Sequence, residues 1–327
     1  MIDKNDGNEY PPEKLQIFKI MHENRISLEL RGLDSEPKWV KEVRVISSPL
    51  FVNNIKIDLA RLTFIVGLNQ SGKTALCEWI AAGVYPHYLE RWSSLPKGRD
   101  RVSIEVEYHY YGLHTVAVSF MRKDRPEYYL DSDPTRIPTA PVKIIFPQNM
   151  RIVRYDEEPS DIDLIARLMN LHTYEIQSLV EELRQMDSGY FTETYTKESE
   201  GHVMLFVKEE GSRSSDAVLF RMLGDSTCAR FLMELGILAA KRFSTLYPTI
   251  LILDSDFWRL DLHWANRYVE LLASPEIGFQ TIITVGPGRV EFDDIKWIGW
   301  NVFRLHGTPP SVTVRKGFHT TESTSTD

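Results

Sequence analysis

The stretch LTFIVGLNQSGKTALCEWIAAGV, residues 62–84, contains the pattern from which the fold class of this chain follows. It opens with the short apolar run LTFIV, which is typical of a strand buried on both faces of a parallel sheet. The residues that follow, GLNQSGKT, fit the pattern G-x-x-x-x-G-K-[ST] at every fixed position. The sequence after Thr74 predicts a helix that ends near Gly83. A buried strand, a glycine-rich loop and a helix in this order predict a phosphate-binding loop.

Each fixed position of this loop has a chemical reason. Gly67 and Gly72 let the backbone curl so that successive N–H groups point at phosphate oxygens. The helix that follows adds the positive end of its dipole. Lys73 places an ammonium against the β and γ phosphate oxygens, and Thr74 offers a hydroxyl to Mg²⁺. We therefore predict that the chain binds ATP with Mg²⁺. The loop residues expected to bind the nucleotide are Gly67, Asn69, Gln70, Ser71, Gly72, Lys73 and Thr74.

A second apolar run is followed by the carboxylate that a phosphate loop requires to hold Mg²⁺. Residues 249–253, TILIL, predict another buried strand, and Asp254 follows directly. A carboxylate at the carboxyl end of a buried strand holds Mg²⁺ or its water beside a phosphate loop. An aspartate that begins a loop after a strand is common, so the match gains weight only in combination with Lys73. We predict Lys73 and Asp254 as catalytic residues, and Thr74 and Asp254 as metal ligands.

The remaining periodicity predicts an α/β fold built on a largely parallel sheet with helices on both faces. Residues 281–285, TIITV, form a third apolar run. The alternating segments 102–108 and 114–120 predict a hairpin, and hence an added antiparallel layer. From Ser160 to Met186 apolar residues recur at helical spacing, which predicts a helical lobe. The predicted fold class is therefore a P-loop NTPase with a mixed, mostly parallel sheet, an antiparallel β layer and a helical lobe.

The expected domain organisation is simple. Residues 15–318 are predicted to form one head, with the helical lobe inserted at about 158–190 between the two apolar-run motifs. Residues 1–14 are polar and contain prolines, and residues 319–327 are rich in Ser and Thr. We expect both ends to be disordered, because neither can bury apolar surface.

Composition limits the classes of function. The chain has 327 residues with 38 Lys and Arg against 46 Asp and Glu, a net charge of −8, which argues against a uniformly basic nucleic-acid coat. Cys77 and Cys228 do not have metal-ligand or redox-motif spacing, which favours a reducing, cytoplasmic setting. No apolar run approaches the ~20 residues of a membrane-spanning helix, so we expect no membrane association.

The order of these motifs resembles the ATP-binding-cassette-like heads of the SMC, RecF and OLD group. The segment VRVISSPLFVNNIKIDLARLTFIVGLNQSGKT, residues 43–74, is similar to that group's opening strands and phosphate loop. Leu223 to Thr227, LGDST, stands where the group has its signature sequence, and residues 251–261, LILDSDFWRLD, have the length of its Walker B and D-loop segment. The resemblance implies that Gln148, after VKIIF, is the Q-loop residue that contacts nucleotide and metal.

Three positions depart from that family pattern. Ser255 stands where the family has its catalytic glutamate, and Asp256 is the nearest carboxylate, so Asp256 is the candidate base. Gly286 stands at the position of the switch histidine. Gly224 replaces the signature serine, and the acidic Asp225 beside it would repel a γ-phosphate. Together the departures predict ATP binding with slow hydrolysis or none.

The resemblance implies a subunit that dimerises, or forms a higher oligomer, around Mg-ATP. Such heads in bacteria act in DNA repair or anti-phage defence, and we expect the effector to be a separate protein chain. A basic group that includes Arg91 and Arg125 is compatible with nucleic acid, although a solvated face is the simpler interpretation. Two alternatives remain open. One is a nucleotide-locked scaffold or sensor that does not hydrolyse ATP. The other is a P-loop kinase, for which Arg151, Arg154 and Arg167 would have to form the lid.

Overall fold

The computed structural model describes residues 40–85, 88, 102–109, 113–120, 126–136, 142–147, 160–185, 190–209, 216–254, 262–274, 276–286 and 300–317. The two ends that were predicted to be disordered lie outside these residues. Three predicted or candidate site residues, Gln148, Ser255 and Asp256, also lie outside them.

The described residues form both strands and α-helices. The strands are β1 (Val40–Ser47), β2 (Ile55–Asp58), β3 (Leu62–Gly67), β4 (Val102–His109), β5 (Leu113–Phe120), β6 (Glu127–Leu130), β7 (Asp133–Thr135), β8 (Lys143–Ile145), β9 (Phe191–Ser199), β10 (His202–Glu209), β11 (Val218–Leu219), β12 (Thr249–Leu253), β13 (Gln280–Val285), β14 (Trp300–His306) and β15 (Thr313–Lys316). The α-helices are α1 (Lys73–Ala82), α2 (Asp161–Met169), α3 (Thr173–Gln185), α4 (Asp225–Ser244) and α5 (Leu262–Ala273).

The central sheet has the strand order β15-β14-β3-β13-β12-β8, and all neighbours except β15 pair in parallel. Its middle strands are the apolar runs of the sequence: every residue of β3, β12 and β13 is buried. A strand that is apolar along its whole length buries all its side chains only when both faces of the sheet are covered. Because the strands are parallel, their carboxyl ends meet at one edge of the sheet, which we call the loop edge.

Two apolar cores lie on the two faces of this sheet. Phe64 of β3 packs into the core formed with α2, α3, α4 and α5, and its neighbour Ile65 packs into the core formed with α1 and the strands of a second sheet. Alternate residues of one strand point to opposite faces, which is why adjacent residues enter different cores. Each of these fully buried side chains contributes roughly 1.5–3 kcal/mol to folding.

The second sheet is antiparallel, with strand order β2-β1-β4-β5-β6-β7. The predicted hairpin is present as β4 and β5, paired from Val102 opposite Phe120 to His109 opposite Leu113. Gln280, at the start of β13, ties the two sheets together: its buried amide nitrogen donates to the carbonyl oxygens of Val40 (2.8 Å) and Ala60 (2.9 Å). A buried amide with satisfied partners fixes the position of one sheet on the other.

The helical lobe consists of α2 and α3 packed on a small antiparallel sheet, β11-β10-β9. Strand β9 was not predicted. The helical stretch is two helices rather than one, because Asn170 ends α2 in the left-handed conformation, at φ 53°. Ser160 caps α2 by accepting from the Asp163 backbone N–H.

The predicted fold class is confirmed by this architecture: a mostly parallel sheet, an antiparallel layer and a lobe containing two helices. In the part of the chain that the structure describes, no helix combines the length and the apolar character needed to cross a membrane.

Candidate functional site

The phosphate loop runs from the end of β3 to the first turn of α1, at the loop edge of the central sheet. Gly72 immediately precedes α1 and has φ 88°. A Cβ on Gly72 would lie 2.9 Å from the Cζ atom of Phe51, a buried ring under the loop. Both the left-handed backbone and the lack of space therefore require glycine at this position. Gln70 is also left-handed, at φ 67°, so the loop curls as a phosphate cradle must.

Gly67 is required for a different reason, which is close packing. A Cβ on Gly67 would lie 2.5 Å from the Oγ atom of Ser71 and 3.0 Å from the Cβ atom of Leu305. Ser71 is 2% exposed, and its hydroxyl has no hydrogen-bond partner among the described residues. The exposed loop residues Leu68, Asn69 and Gln70 form the outer rim of the cradle.

The Lys73 ammonium lies folded over this loop. Its Nζ atom donates to the carbonyl oxygens of Gly67 at 2.7 Å and of Leu68 at 2.8 Å. Burial lowers the pKa of Lys73 below its ordinary value, and the carboxylate of Asp254 opposes that shift. The negative charge of Asp254 therefore acts on the ammonium of Lys73, the other predicted catalytic residue. An ammonium has three donors, so the two carbonyl bonds leave one N–H for an anion.

Asp254 reaches the loop edge from the other apolar run. It follows β12 directly, is 7% exposed, and its Oδ1 atom accepts a hydrogen bond from the hydroxyl of Thr284 on β13. Strand β13 lies between β3 and β12, so the two motif strands are about 10 Å apart, two strand spacings. A metal-bound triphosphate can span such a gap.

The described residues offer a metal ion only partial coordination. Among them, no three His, Cys, Asp or Glu side chains converge on one point. Mg²⁺ commonly binds proteins through one or two carboxylates together with phosphate oxygens and water. The Asp254 carboxylate and the half-exposed Thr74 in the first turn of α1 fit that mode, in which the nucleotide itself supplies the other ligands.

The signature-like turn, Leu223 to Asp225, ends at α4. Gly224 precedes the helix in an extended conformation, and no side chain caps the helix N-terminus. Gly224, Asp225 and Ser226 are exposed, and a Cβ on Gly224 would meet no atom within 4 Å. The turn therefore has room for the serine that the resemblance would put there, and the acidic Asp225 faces away from the packed core.

An ion pair between Asp161 of the helical lobe and Arg221 stabilises this turn, and it was not predicted from the sequence. Asp161, at the start of α2, is fully buried; its carboxylate accepts from the Leu205 backbone N–H at 2.9 Å and from Arg221 Nε at 2.7 Å. Arg221 lies two residues before Leu223. No local spacing signals a contact between groups 60 positions apart.

The remaining residues singled out from the sequence are Gly286 and the three arginines of the kinase alternative. Gly286, at the position of the switch histidine, follows β13 at the loop edge and is partly exposed. Arg167, one of the three arginines of the kinase alternative, is exposed in the last turn of α2, while Arg151 and Arg154 lie outside the described residues. The described structure thus gathers the phosphate loop, Asp254 and Gly286 at one edge.

Comparisons with known proteins identify the fold. No protein-family model matches the chain, and no curated protein matches it in sequence. Solved structures do match. An SMC head bound to the C-winged helix domain of ScpA has a TM-score of 0.58 at 12% identity, over 85% of this chain and 97% of that one. The SMC head domain from Thermotoga maritima has a TM-score of 0.50 at 16% identity, over 86% and 100%.

A third similar structure is the recombination mediator protein RecF with ATP, with a TM-score of 0.53 at 13% identity, over 85% of this chain and 99% of that one. The three structures belong to the group that the motif order resembles. At these identities the likeness establishes the fold, which is that of ABC-like P-loop ATPase heads.

Proposed function

We propose that this chain is an ATP-binding head that holds Mg-ATP at Gly67–Thr74. The observation that carries the proposal is that the phosphate loop and Asp254, from distant parts of the sequence, follow parallel strands that end at one edge of the sheet. In this arrangement Lys73 binds the β and γ phosphates, and Asp254 and Thr74 hold the metal. The structure of RecF with ATP, a protein of similar fold, supports the choice of nucleotide.

The residues of this chain would act by binding and orientation. Backbone N–H groups of the loop would bind the phosphates, and the Lys73 ammonium would exchange its contacts with Gly67 and Leu68 for phosphate oxygens. Bound Mg²⁺ would neutralise phosphate charge, and Thr284 would keep the Asp254 carboxylate directed toward it. None of these interactions requires hydrolysis.

We propose further that hydrolysis is slow or lost. Ser255 has no carboxylate to serve as a base, Gly286 has no imidazole, and Gly224 has no hydroxyl for a γ-phosphate. Asp256 is the nearest substitute base. Purified protein should therefore retain Mg-ATP for hours. Vigorous turnover that is lost in Asp256→Ala but kept in Asp225→Ser would contradict this part of the proposal.

The biological role follows from the fold by analogy. ATP would hold two copies of the chain together, and a separate effector protein would respond to that state, in DNA repair or anti-phage defence. The SMC head that carries the C-winged helix domain of ScpA is an example of a similar fold that binds a separate partner. Sedimentation of the purified chain with and without a slowly hydrolysed ATP analogue tests dimerisation, and unchanged mass on saturation contradicts it.

A nucleotide-locked scaffold or sensor is the second candidate, favoured by the same three departures from the family pattern, Ser255, Gly286 and Gly224. In that case ATP occupancy would stabilise one conformation and would not be consumed. Equilibrium dialysis separates the two, because a scaffold retains intact ATP while even a slow ATPase accumulates ADP in proportion to enzyme. The kinase alternative has less support, since its lid over the phosphates would rest on only three arginines, Arg151, Arg154 and Arg167.

A further inference from the structure

A buried arginine joins α4, the helix after the signature-like turn, to α5, the first described helix after Asp254. Arg230 lies on α4 and is 5% exposed. Its guanidinium carbon lies 3.6 Å from the centroid of the Tyr190 ring and 4.4 Å from the centroid of the Trp264 ring. Those two rings meet edge to face, with centroids 5.1 Å apart. We call these three residues the arginine joint.

Hydrogen bonds anchor both sides of the arginine joint. The Tyr190 hydroxyl donates to Oε2 of Glu209, at the end of β10, at 2.7 Å. The hydroxyl of Tyr268, one turn beyond Trp264 on α5, donates to the buried Glu234 of α4. Burial, together with the Glu209 carboxylate, raises the pKa of Tyr190 to about 12, so it remains a donor at neutral pH. Tyr190, the residue before β9, is thereby attached to α4 and α5 around one guanidinium.

The position of the joint gives it a consequence for the nucleotide site. Helix α4 begins at Asp225, the last residue of the signature-like turn, and Arg230 lies in its second turn. Helix α5 begins at Leu262, shortly after Asp254, and Trp264 lies in its first turn. The joint therefore connects α4, which begins at the signature-like turn, to α5, the first described helix after Asp254.

We propose that Arg230 is a positioning residue that couples the signature-like turn at the start of α4 to α5, so that nucleotide bound at the loop edge stabilises both helices. The inference rests on the proposed nucleotide site. A planar guanidinium suits this role because it stacks on two rings at once, while an ammonium is a compact point charge that does not stack. The joint transmits displacement because a closely packed buried cluster has discrete arrangements and does not deform continuously.

The test is hydrogen exchange of the full chain with and without Mg-ATP. The wild-type protein should gain protection at the loop amides 68–74 and in the first two turns of α4. Arg230→Met should keep the loop protection and lose the ATP-linked protection of α4 by about fivefold or more, the range of ordinary coupling energies. Arg230→Lys should show the same loss. Trp264→Leu should reproduce it from the other side of the joint.

The matched control is Arg267→Met. Arg267 also stacks on the Trp264 ring, at 4.8 Å, but it is exposed and belongs to α5 itself, so its removal should leave the coupling unchanged. A purely structural role would lower α4 protection in Arg230→Lys with and without nucleotide alike, and that result overturns the proposal. Wild-type levels of ATP-linked α4 protection in Arg230→Lys also overturn it. Absence of loop protection in the wild-type chain would instead overturn the nucleotide site.

Discussion

Thr284 donates a hydrogen bond from its hydroxyl to Oδ1 of Asp254, from one parallel strand to the end of its neighbour. The pairing of Leu253 with Ile283 sets this contact, because the next residue along each chain then lies opposite the other. Both side chains are buried. A carboxylate held in this way is oriented before a metal arrives, as is usual for the outer partners of metal ligands.

Replacing Thr284 by valine should weaken Mg²⁺-dependent ATP binding by about tenfold, the lower end of the effect of losing an outer-shell partner. Binding in EDTA should change little, because the phosphates do not need the carboxylate. Calorimetric titration in Mg²⁺ and in EDTA measures the difference. Thr281→Val is the matched control: Thr281 lies on the same strand, and its buried hydroxyl has no hydrogen-bond partner among the described residues. Equal effects of both variants would contradict the assignment.

Asp254→Ala should remove the Mg²⁺ dependence of ATP binding more completely than Thr284→Val does. The affinity in EDTA should stay the same or rise, since the variant deletes a negative charge that acts on Lys73 and on the phosphates. Asp254→Asn provides the isosteric comparison, because it keeps an oxygen but not the charge. The same titrations report the result, and a Mg²⁺ dependence that survives in both variants would refute a metal-holding role.

Lys73→Ala should lower ATP affinity by a factor of about a hundred or more, because charged hydrogen bonds to the phosphates are each worth about 1.5–3 kcal/mol. The unfolding midpoint should change little, since the side chain is only half-buried and bonds to loop carbonyls. Lys197→Ala, an exposed lysine on β9, is the control for net charge. Unaltered ATP affinity in Lys73→Ala would refute the whole site.

The sequence predicted the central part of this site because its signals are local. Strands β3, β12 and β13 are continuous apolar runs, and the glycine-rich loop must follow the first of them. The lobe strand β9 was missed, because only two of its residues, Phe191 and Thr194, are buried, and so it has no period-two pattern. Its pairing with β10 is what makes it a strand.

Asp161 shows a second limit of local reasoning. A carboxylate at a helix start predicts a cap, but Ser160 takes that role, and the Asp161 side chain turns inward to partners 44 and 60 positions away. The arginine joint could not be predicted from the sequence for the same reason. Its two rings and its guanidinium come from three distant parts of the chain, and each residue alone is consistent with an ordinary amphipathic surface.

ATP affinity should fall as pH rises through the pKa of Lys73 in the free protein. Burial has already lowered that pKa below its ordinary 10.5, whereas a bound triphosphate raises it. The complex therefore holds more protons than the free protein between the two values, and binding weakens with increasing pH across that window. Titrations from neutral pH to about pH 10 measure the slope. Lys73→Ala should abolish the slope; a slope that persists there would assign it to another group.

Asp161→Asn should destabilise the fold by about 3–5 kcal/mol, because it leaves Arg221 without its buried counter-charge. Urea unfolding measures the loss, and Glu181→Gln is the control, since the Glu181–Arg184 pair is half-exposed and worth at most about 1 kcal/mol. The double variant Asp161→Asn with Arg221→Met should recover much of the stability, because it removes the Arg221 charge together with the Asp161 carboxylate that faces it. Additive losses in the double variant would mean that the two residues stabilise the lobe independently, and that the ion pair does not hold the signature-like turn to α2.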